Sequence, residues 1–311
     1  MPDPIKWRST IALAKIETTY GTDAEPVGSD GMLMTDVQLR PQEGEDVGRE
    51  LEFAQLGNQG TLVAAVRAVL SGATELVGSG TAGTAPKWGV LARACALAET
   101  TQAGVDVVYN PVSDDHESAT FYFWKGGTRH VLLGARGTGV IEIPAQGVPR
   151  IRWTFTGLYV APSEETRVTP DLSGFEAPIV GSHANTPAFT VGGESLVLRN
   201  FQLDLANDVQ PRLLIGREDI LIVDRAEVIS ASVEAVPLTT FDPFAAAKDK
   251  TEVAVSITHG TAAGKISTIA APKCEVQRMT GLENQQGIVE WPLSLSPKFD
   301  SGDDQFTITL T

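Results

Sequence analysis

Residues 119–159 read ATFYFWKGGTRHVLLGARGTGVIEIPAQGVPRIRWTFTGLY, and their reading decides the fold. Thr120 to Trp124 is a run of β-branched and aromatic residues, which suit a pleated, half-buried surface. Gly126-Gly127 can take the positive φ angles of a tight hairpin turn without steric cost. A second strand, Thr128 to Leu133, leads back. A third covers Thr138 to Ile143, and Pro144 to Pro149 makes the next turn. The fourth, Arg150 to Tyr159, alternates: Ile151, Trp153 and Phe155 point one way, and Arg150, Arg152, Thr154 and Thr156 the other. Phe121, Phe123, Ile151, Trp153 and Phe155 are therefore predicted to form the core under a sheet whose other face is polar.

Working outward, Met32 to Leu39 reads as a strand, and Pro41 to Glu52 as a charged stretch with two glycines. Leu62, Val63, Val66, Val69 and Leu70 are spaced for one helical face, which predicts a helix over Leu56 to Leu70 with Asn58 or Thr61 as its cap. Ser71 to Ala85 is a small, Gly-rich loop. Pro86 to Ala98 is a second predicted helix, with proline in its first turn. Residues 1–31 form a polar arm with an apolar patch from Ile11 to Ile16. On the far side, Ala161 to Pro187 is linker-like, with four prolines among Ser, Thr and Glu. Strands are expected at Ser195 to Leu205, Leu213 to Val223 (broken at Arg217-Glu218-Asp219) and Ala226 to Ala235. A short helix, Asp242 to Lys250, follows with an Asp cap before Pro243. Five more strands complete the chain: Glu252 to Thr258, Lys265 to Ala270, Cys274 to Thr280, Gly287 to Leu295 and Gln305 to Leu310.

Length and composition set the bounds. With 311 residues the prior is about two domains, and a hydrophobic content of 42% is enough for a core. No apolar run approaches the ~18 residues of a membrane span, and MPDPIKWRST lacks the apolar core of a secretory signal. Two cysteines, Cys95 and Cys274, make no disulfide framework and fit a reducing compartment. These features predict a soluble protein made in a cytoplasm, with no membrane partner. The net charge is −15, with 13 Lys+Arg against 18 Asp+Glu through Ser163 and 11 against 21 beyond it. That balance opposes tight binding to nucleic-acid phosphates.

The two parts read as distant copies of one unit. Val37-Gln38-Leu39 matches Phe201-Gln202-Leu203. Asp46-Val47 and Arg49 match Asp208-Val209 and Arg212. Gln146-Gly147, in QGVPRIRWTF, matches Gln286-Gly287, in QGIVEWPLSL. The matches keep their order along the chain, and two copies in one chain can occupy two equivalent positions of a symmetric ring.

Motifs for catalysis are discounted. Gly78-Ser-Gly80-Thr-Ala-Gly83 is a literal GxGxxG, but a dinucleotide site needs those glycines between a buried strand and a helix; a loop is expected instead. Asp114-Asp115-His116-Glu117, like Asp300, Asp303 and Asp304, reads as a solvated turn rather than a cation site. The four histidines stand singly, without zinc spacing. Neither a GxSxG elbow nor a Walker-type loop occurs. No cofactor, metal or catalytic residue is predicted.

Three segments carry a resemblance: LAKIETTYGTDAEP, PKWGVLARACAL and the 119–159 stretch with its LLGARGT turn and WTFTGLY strand. Together they resemble the tail tube (major tail) proteins of long-tailed bacteriophages, well over residues 11–160 and more weakly through NQQGIVEWPLSL and DDQFTITL. The resemblance implies a non-enzymatic protein that is mainly β with flanking helices. It implies two tandem β-sandwich or barrel domains (1–163 with its N-terminal arm, and 188–311) around a linker at 164–187. Subunits would close into trimeric rings with quasi-six-fold symmetry, or hexameric ones, stacked into a hollow conduit for the genome. Such a subunit would be assembled in the bacterial cytoplasm and end in the virion tail. Implied partners are other copies of the chain and the tail-tip, tape-measure and tail-terminator proteins, with DNA passing as non-sticking cargo along an acidic bore. Glu43, Glu45, Asp46 and Arg49, with Asp204, Asp208 and Arg212, are the candidate contacts between stacked rings, and the arm and linker are expected to order on assembly. A decoration or receptor-binding β-sandwich of a virion is the alternative, and an enzyme the third reading.

Overall fold

The computed structural model describes residues 4–311, and these are mainly β. In the first part the strands are β1 (Thr10–Ile16), β2 (Gly31–Met32), β3 (Thr35–Gly48), β4 (Thr61–Glu75), β5 (Leu97–Gln102), β6 (Asp106–Pro111), β7 (Ala119–Lys125), β8 (Thr128–Pro144), β9 (Arg150–Tyr159) and β10 (Ser163–Glu164). Beyond them come β11 (Ala188–Val191), β12 (Glu194–Ser195), β13 (Leu198–Asp204), β14 (Asn207–Leu214), β15 (Arg217–Arg225), β16 (Val228–Glu234), β17 (Glu252–His259), β18 (Ser267–Val276), β19 (Glu283–Gln285), β20 (Ile288–Pro297) and β21 (Thr307–Leu310). Two short α-helices, α1 (Gly89–Arg93) and α2 (Pro243–Asp249), accompany them.

All the pairings are antiparallel, and twelve of them form two series of the same order. The first runs β2-β1-β7-β8-β9-β4-β3. The second runs β12-β11-β17-β18-β20-β16-β13. Register ties the separate sequence matches together: Leu39 faces Leu70, which faces Phe155, while Leu203 faces Ile229, which faces Leu295. Neither series closes into a barrel, because the end strands β2 and β3, or β12 and β13, do not pair. That is a correction to the barrel form of the expected fold.

The core lies against one face of these series and runs without interruption through both. It includes Phe121, Phe123, Ile151, Trp153 and Phe155 together with Phe201, Leu203, Ile229 and Leu295. Phe121 packs on Phe155 at 4.7 Å between ring centroids, and Trp153 on Phe155 at 6.1 Å. A smaller cluster of Ile11, Leu13, Tyr122, Trp124 and Val131 covers the other face of β1, β7 and β8. The α1 segment seals the large core with Trp88, whose indole donates to the Val77 carbonyl at 2.8 Å.

Several sequence expectations change. Leu56 to Leu70 is no helix: from Thr61 on it is strand β4, held between β3 and β9. Its inner half is buried on both faces (Ala68, Val69 and Leu70 alike), so strict alternation disappears and the apolar run imitates a helical period. Asn58 instead accepts the Gly60 amide in a turn, and the loop expected from Ser71 begins only after Glu75. The Pro86 to Ala98 helix shrinks to α1, because Ala96 turns the chain at φ 59° and Leu97 starts a β5–β6 hairpin that went unread. Two expected strands merge into β8; Gly134, at φ 56° and with the Tyr20 ring where a Cβ would sit, bends it without breaking it. Likewise β18 joins the strands expected at Lys265 and Cys274. The break at Arg217 to Asp219 proves to be the start of β15 after a turn at Ile215-Gly216. The α2 reading holds, with Asp242 accepting from the Phe244 and Ala245 amides.

The arm and linker, expected to gain order on assembly, are engaged within the chain. Ile11 to Ile16 lies in β1, between β2 and β7. Glu17, buried beyond it, accepts from Gly21 N, Ser118 Oγ, Thr120 Oγ1 and Gly134 N at 2.6–2.9 Å. In the linker, Glu176 pairs with Lys265 at 2.7 Å, and Gly181 exchanges backbone bonds with Gln146 and Gly147.

Candidate assembly surface

Among the described residues two strand pairings join the parts edge to edge, and the longer is β8 with β13. Past Ala135, β8 runs beyond the end of β7 and leaves an edge that β13 fills: Asn200 faces Pro144, Phe201 faces Ile143, Gln202 faces Glu142, Leu203 faces Ile141 and Asp204 faces Val140. The alternation explains the fit, since Ile141, Ile143, Phe201 and Leu203 enter the core while Glu142 and Gln202 meet on the polar face. The β14–β15 hairpin then lies over the first part. Asn207 donates from Nδ2 to the carbonyls of Cys95 (2.8 Å) and Gly137 (3.0 Å). Arg136 donates to the Ile220 carbonyl at 3.0 Å, and the Tyr20 hydroxyl accepts the Ile220 amide at 2.5 Å. Burial raises the Tyr20 pKa and lowers that of Arg136, whose guanidinium lies 4.9 Å from the Tyr20 ring. Arg225 closes the far side, donating to the Val112 carbonyl (2.8 Å) and Asp303 (2.6 Å) and forming an ion pair with Glu227 (3.1 Å). Burial pushes Glu227 above the usual carboxylate range. For Asp303 burial pulls upward too, but bonds from Ser113 and Arg225 outweigh it and leave a lowered pKa. A second strand contact, β6 with β21, completes the union.

Several strands keep one open edge among the described residues, β2, β5 and β12 among them. Two more are β3, which pairs only with β4, and β19, which pairs only with β20. The β3–β4 hairpin leaves Val47, Leu62 and Val63 exposed, whereas Ile220 and Ile222 of the β14–β15 hairpin are buried. The hairpin tips are apolar and free: Phe53, Leu56, Leu214 and Ile215 all stand in solvent. Such apolar patches on the projecting parts of a β-rich chain mark surfaces made for other proteins. Residues 7–310 match the family model described as phage tail tube protein. The chain belongs to that family. No match was found among curated proteins. Membership makes this a structural component of a phage tail, located in the virion, with self-assembly into a tube and contact with other tail proteins as its business.

Within this tail tube protein the expected contact residues fall in unlike places. Glu43 sits on the outward run of β3, 3.2 Å from Arg40 and 3.6 Å from Arg67. Glu45 and Asp46 are exposed further along the strand, and Arg49 begins the loop beyond it. Asp208 and Arg212 are exposed on β14, where Asp208 accepts from Gln210 and Arg212 faces Asp219. Asp204 differs. It belongs to the internal joint, and its carboxylate accepts the Ala206 amide at 2.8 Å. The apolar tip residues carried no sequence signal in isolation; only the exposure of Leu56 and Ile215 at hairpin ends marks them.

The discounted motifs have structural tasks. Gly78 to Gly83 is a loop wedged against the second part, with the Gly80 amide donating to the Gly264 carbonyl at 3.0 Å. Glu117 of the DDHE run receives a two-point bond from Arg93 at 2.7 and 2.5 Å. Among the described residues no three His, Cys, Asp or Glu side chains converge as a metal site. Arg199 grips the buried Glu290 through Nε and Nη2, which holds that carboxyl below its ordinary pKa.

Proposed function

We propose that the chain carries two tandem tail-tube units, roughly 1–163 and 188–311 around the 164–187 linker, and that three chains close a ring of six units. Stacked rings then form a hollow conduit for the genome. The observation that carries this reading is the pair of ladders with one pairing order, joined by β8 and β13 as adjacent units of a ring would be. A joint of this kind removes the hazard of an open sheet edge, and repetition around a closed ring removes it everywhere.

The polar face supports the conduit. Gln202, Ser230 and Ser294 form one cross-strand row, and Gln38, Ser71 and Thr154 another. Uncharged side chains in these rows, with Arg150 and Arg152 of the same face paired to Asp36 and Glu142, offer phosphates little counterion release, so DNA passing such a wall slides. In this reading the hairpin tips touch the next ring, and Glu43, Glu45, Asp46, Arg49, Asp208 and Arg212 tune that contact. Tail-tip, tape-measure and tail-terminator proteins are the further partners, met during assembly in the bacterial cytoplasm. Concentrating the purified chain, alone or with a tail-tip initiator, should yield hollow tubes under negative stain. Compact particles under every condition would overturn the proposal.

A further inference from the structure

The internal joint is a template for a second one. Glu142 faces Arg150 on β9, and Glu283 faces Glu290 on β20; Arg150 and Glu290 hold equivalent places beside Thr74-Glu75 and Val233-Glu234. Strand β19 therefore occupies in the second series the place that the end of β8 occupies in the first. On the other side of the joint, Gln38-Leu39 holds in β3 the place of Gln202-Leu203 in β13, by sequence and by register against β4 and β16. Inside the chain the edges of β8 and β13 are paired, whereas their counterparts β19 and β3 are both open.

Resting on the ring reading above, we infer that β3 of one copy pairs antiparallel with β19 of the next, with Gln38 opposite Glu283 and the ladder extended by one residue so that Leu39 lies opposite Leu282, just before β19. The residue types carry over from the internal joint: Leu203 with Ile141 becomes Leu39 with Leu282, and Gln202 with Glu142 becomes Gln38 with Glu283. Exposure fits as well. Leu203 and Ile141 are buried at 0% and 1%, while Leu282 stands 61% exposed, as an apolar residue awaiting its cross-strand partner would. The exposed Val47, Leu62 and Val63 of the β3–β4 hairpin then gain the cover over the neighbour that β14–β15 already has at home. The interface joins two different edges, so it repeats head to tail and closes only as a ring.

Cysteine pairs test the register. Directly opposed residues of an antiparallel pair have Cβ atoms about 4.5–5.5 Å apart, and alternate pairs are narrow and wide. The double variants Gln38→Cys/Glu283→Cys and Leu39→Cys/Leu282→Cys therefore sample both kinds. Cys95 and Cys274 are buried and serve as silent background, and Glu142→Cys/Gln202→Cys reports the known internal joint as a positive control. Assembled protein oxidised under mild conditions should give, for at least one of the two intermolecular pairs, covalent species that no single variant gives. The ladder on a non-reducing gel should end at three chains. Tubes that form but cross-link at neither pair, while the control cross-links, would overturn this joint and leave the tube reading standing. A ladder ending at six would uphold the joint and overturn the three-chain ring. Failure to assemble under any condition, with the control cross-linking, would remove the ring reading and the joint with it.

Discussion

At the scale of single residues, the aromatic layer under β9 decides whether the sheet holds. Trp153 is buried between Trp88 and Phe155 and donates its indole N–H to Thr74 at 2.9 Å. Trp153→Ala should lower the unfolding free energy by roughly 3–5 kcal/mol in a urea titration, the usual cost of emptying a large core site; a change within the error of the titration would place the residue outside the core. Acid sensitivity has named sources. Glu290 is held below its ordinary pKa by Arg199, so its contribution is present above the unfolded carboxylate range, near pH 4.3, and is lost as pH falls through the lowered value. Arg199→Ala should flatten that part of the stability-against-pH curve, and an unchanged slope would contradict the pairing. Asp304, bonded by the Ser301 and Asp300 amides, is lowered to about 2. Its carboxyl carbon should titrate there by NMR, well below the ordinary aspartate value of about 3.9.

Elements explain what could be read from sequence and what could not. Arg150 to Tyr159 is covered on one face alone, so its alternation survived to be read. In contrast, β4 is covered on both faces along its inner half, and a two-sided apolar run has no period that separates it from a helix. The repeat was legible from three short matches because Leu39, Phe155 and their counterparts sit in fixed rows of the sheet. The internal joint was not, since strand edges leave no mark in side-chain order. Removing residues 1–30 takes away β1, with the fully buried Leu13, and the Glu17 hydrogen bonds, so loss of fold by circular dichroism is expected. Removing only residues 1–7 spares β1 and should leave the spectrum unchanged. At the hairpins, the triple variant Phe53→Ser, Leu56→Ser and Ile215→Ser should keep the fold and the single ring but abolish elongation, read by sedimentation velocity. Long tubes from that variant would free the tips of any stacking role.

For the whole molecule, the open sheet leaves β3 and β19 each with a single partner strand among the described residues, beside two apolar-tipped hairpins. One core spans both parts, and Arg225, Arg136 and Asn207 tie them together through hydrogen bonds. Under the proposed ring reading, six positions are filled two at a time by three copies. The most direct measurement is an averaged electron micrograph of the assembled protein viewed along its axis. A hollow tube whose rings show three-fold symmetry, with six similar lobes alternating in detail, is the expected result. A solid or discrete particle with no central passage would contradict it.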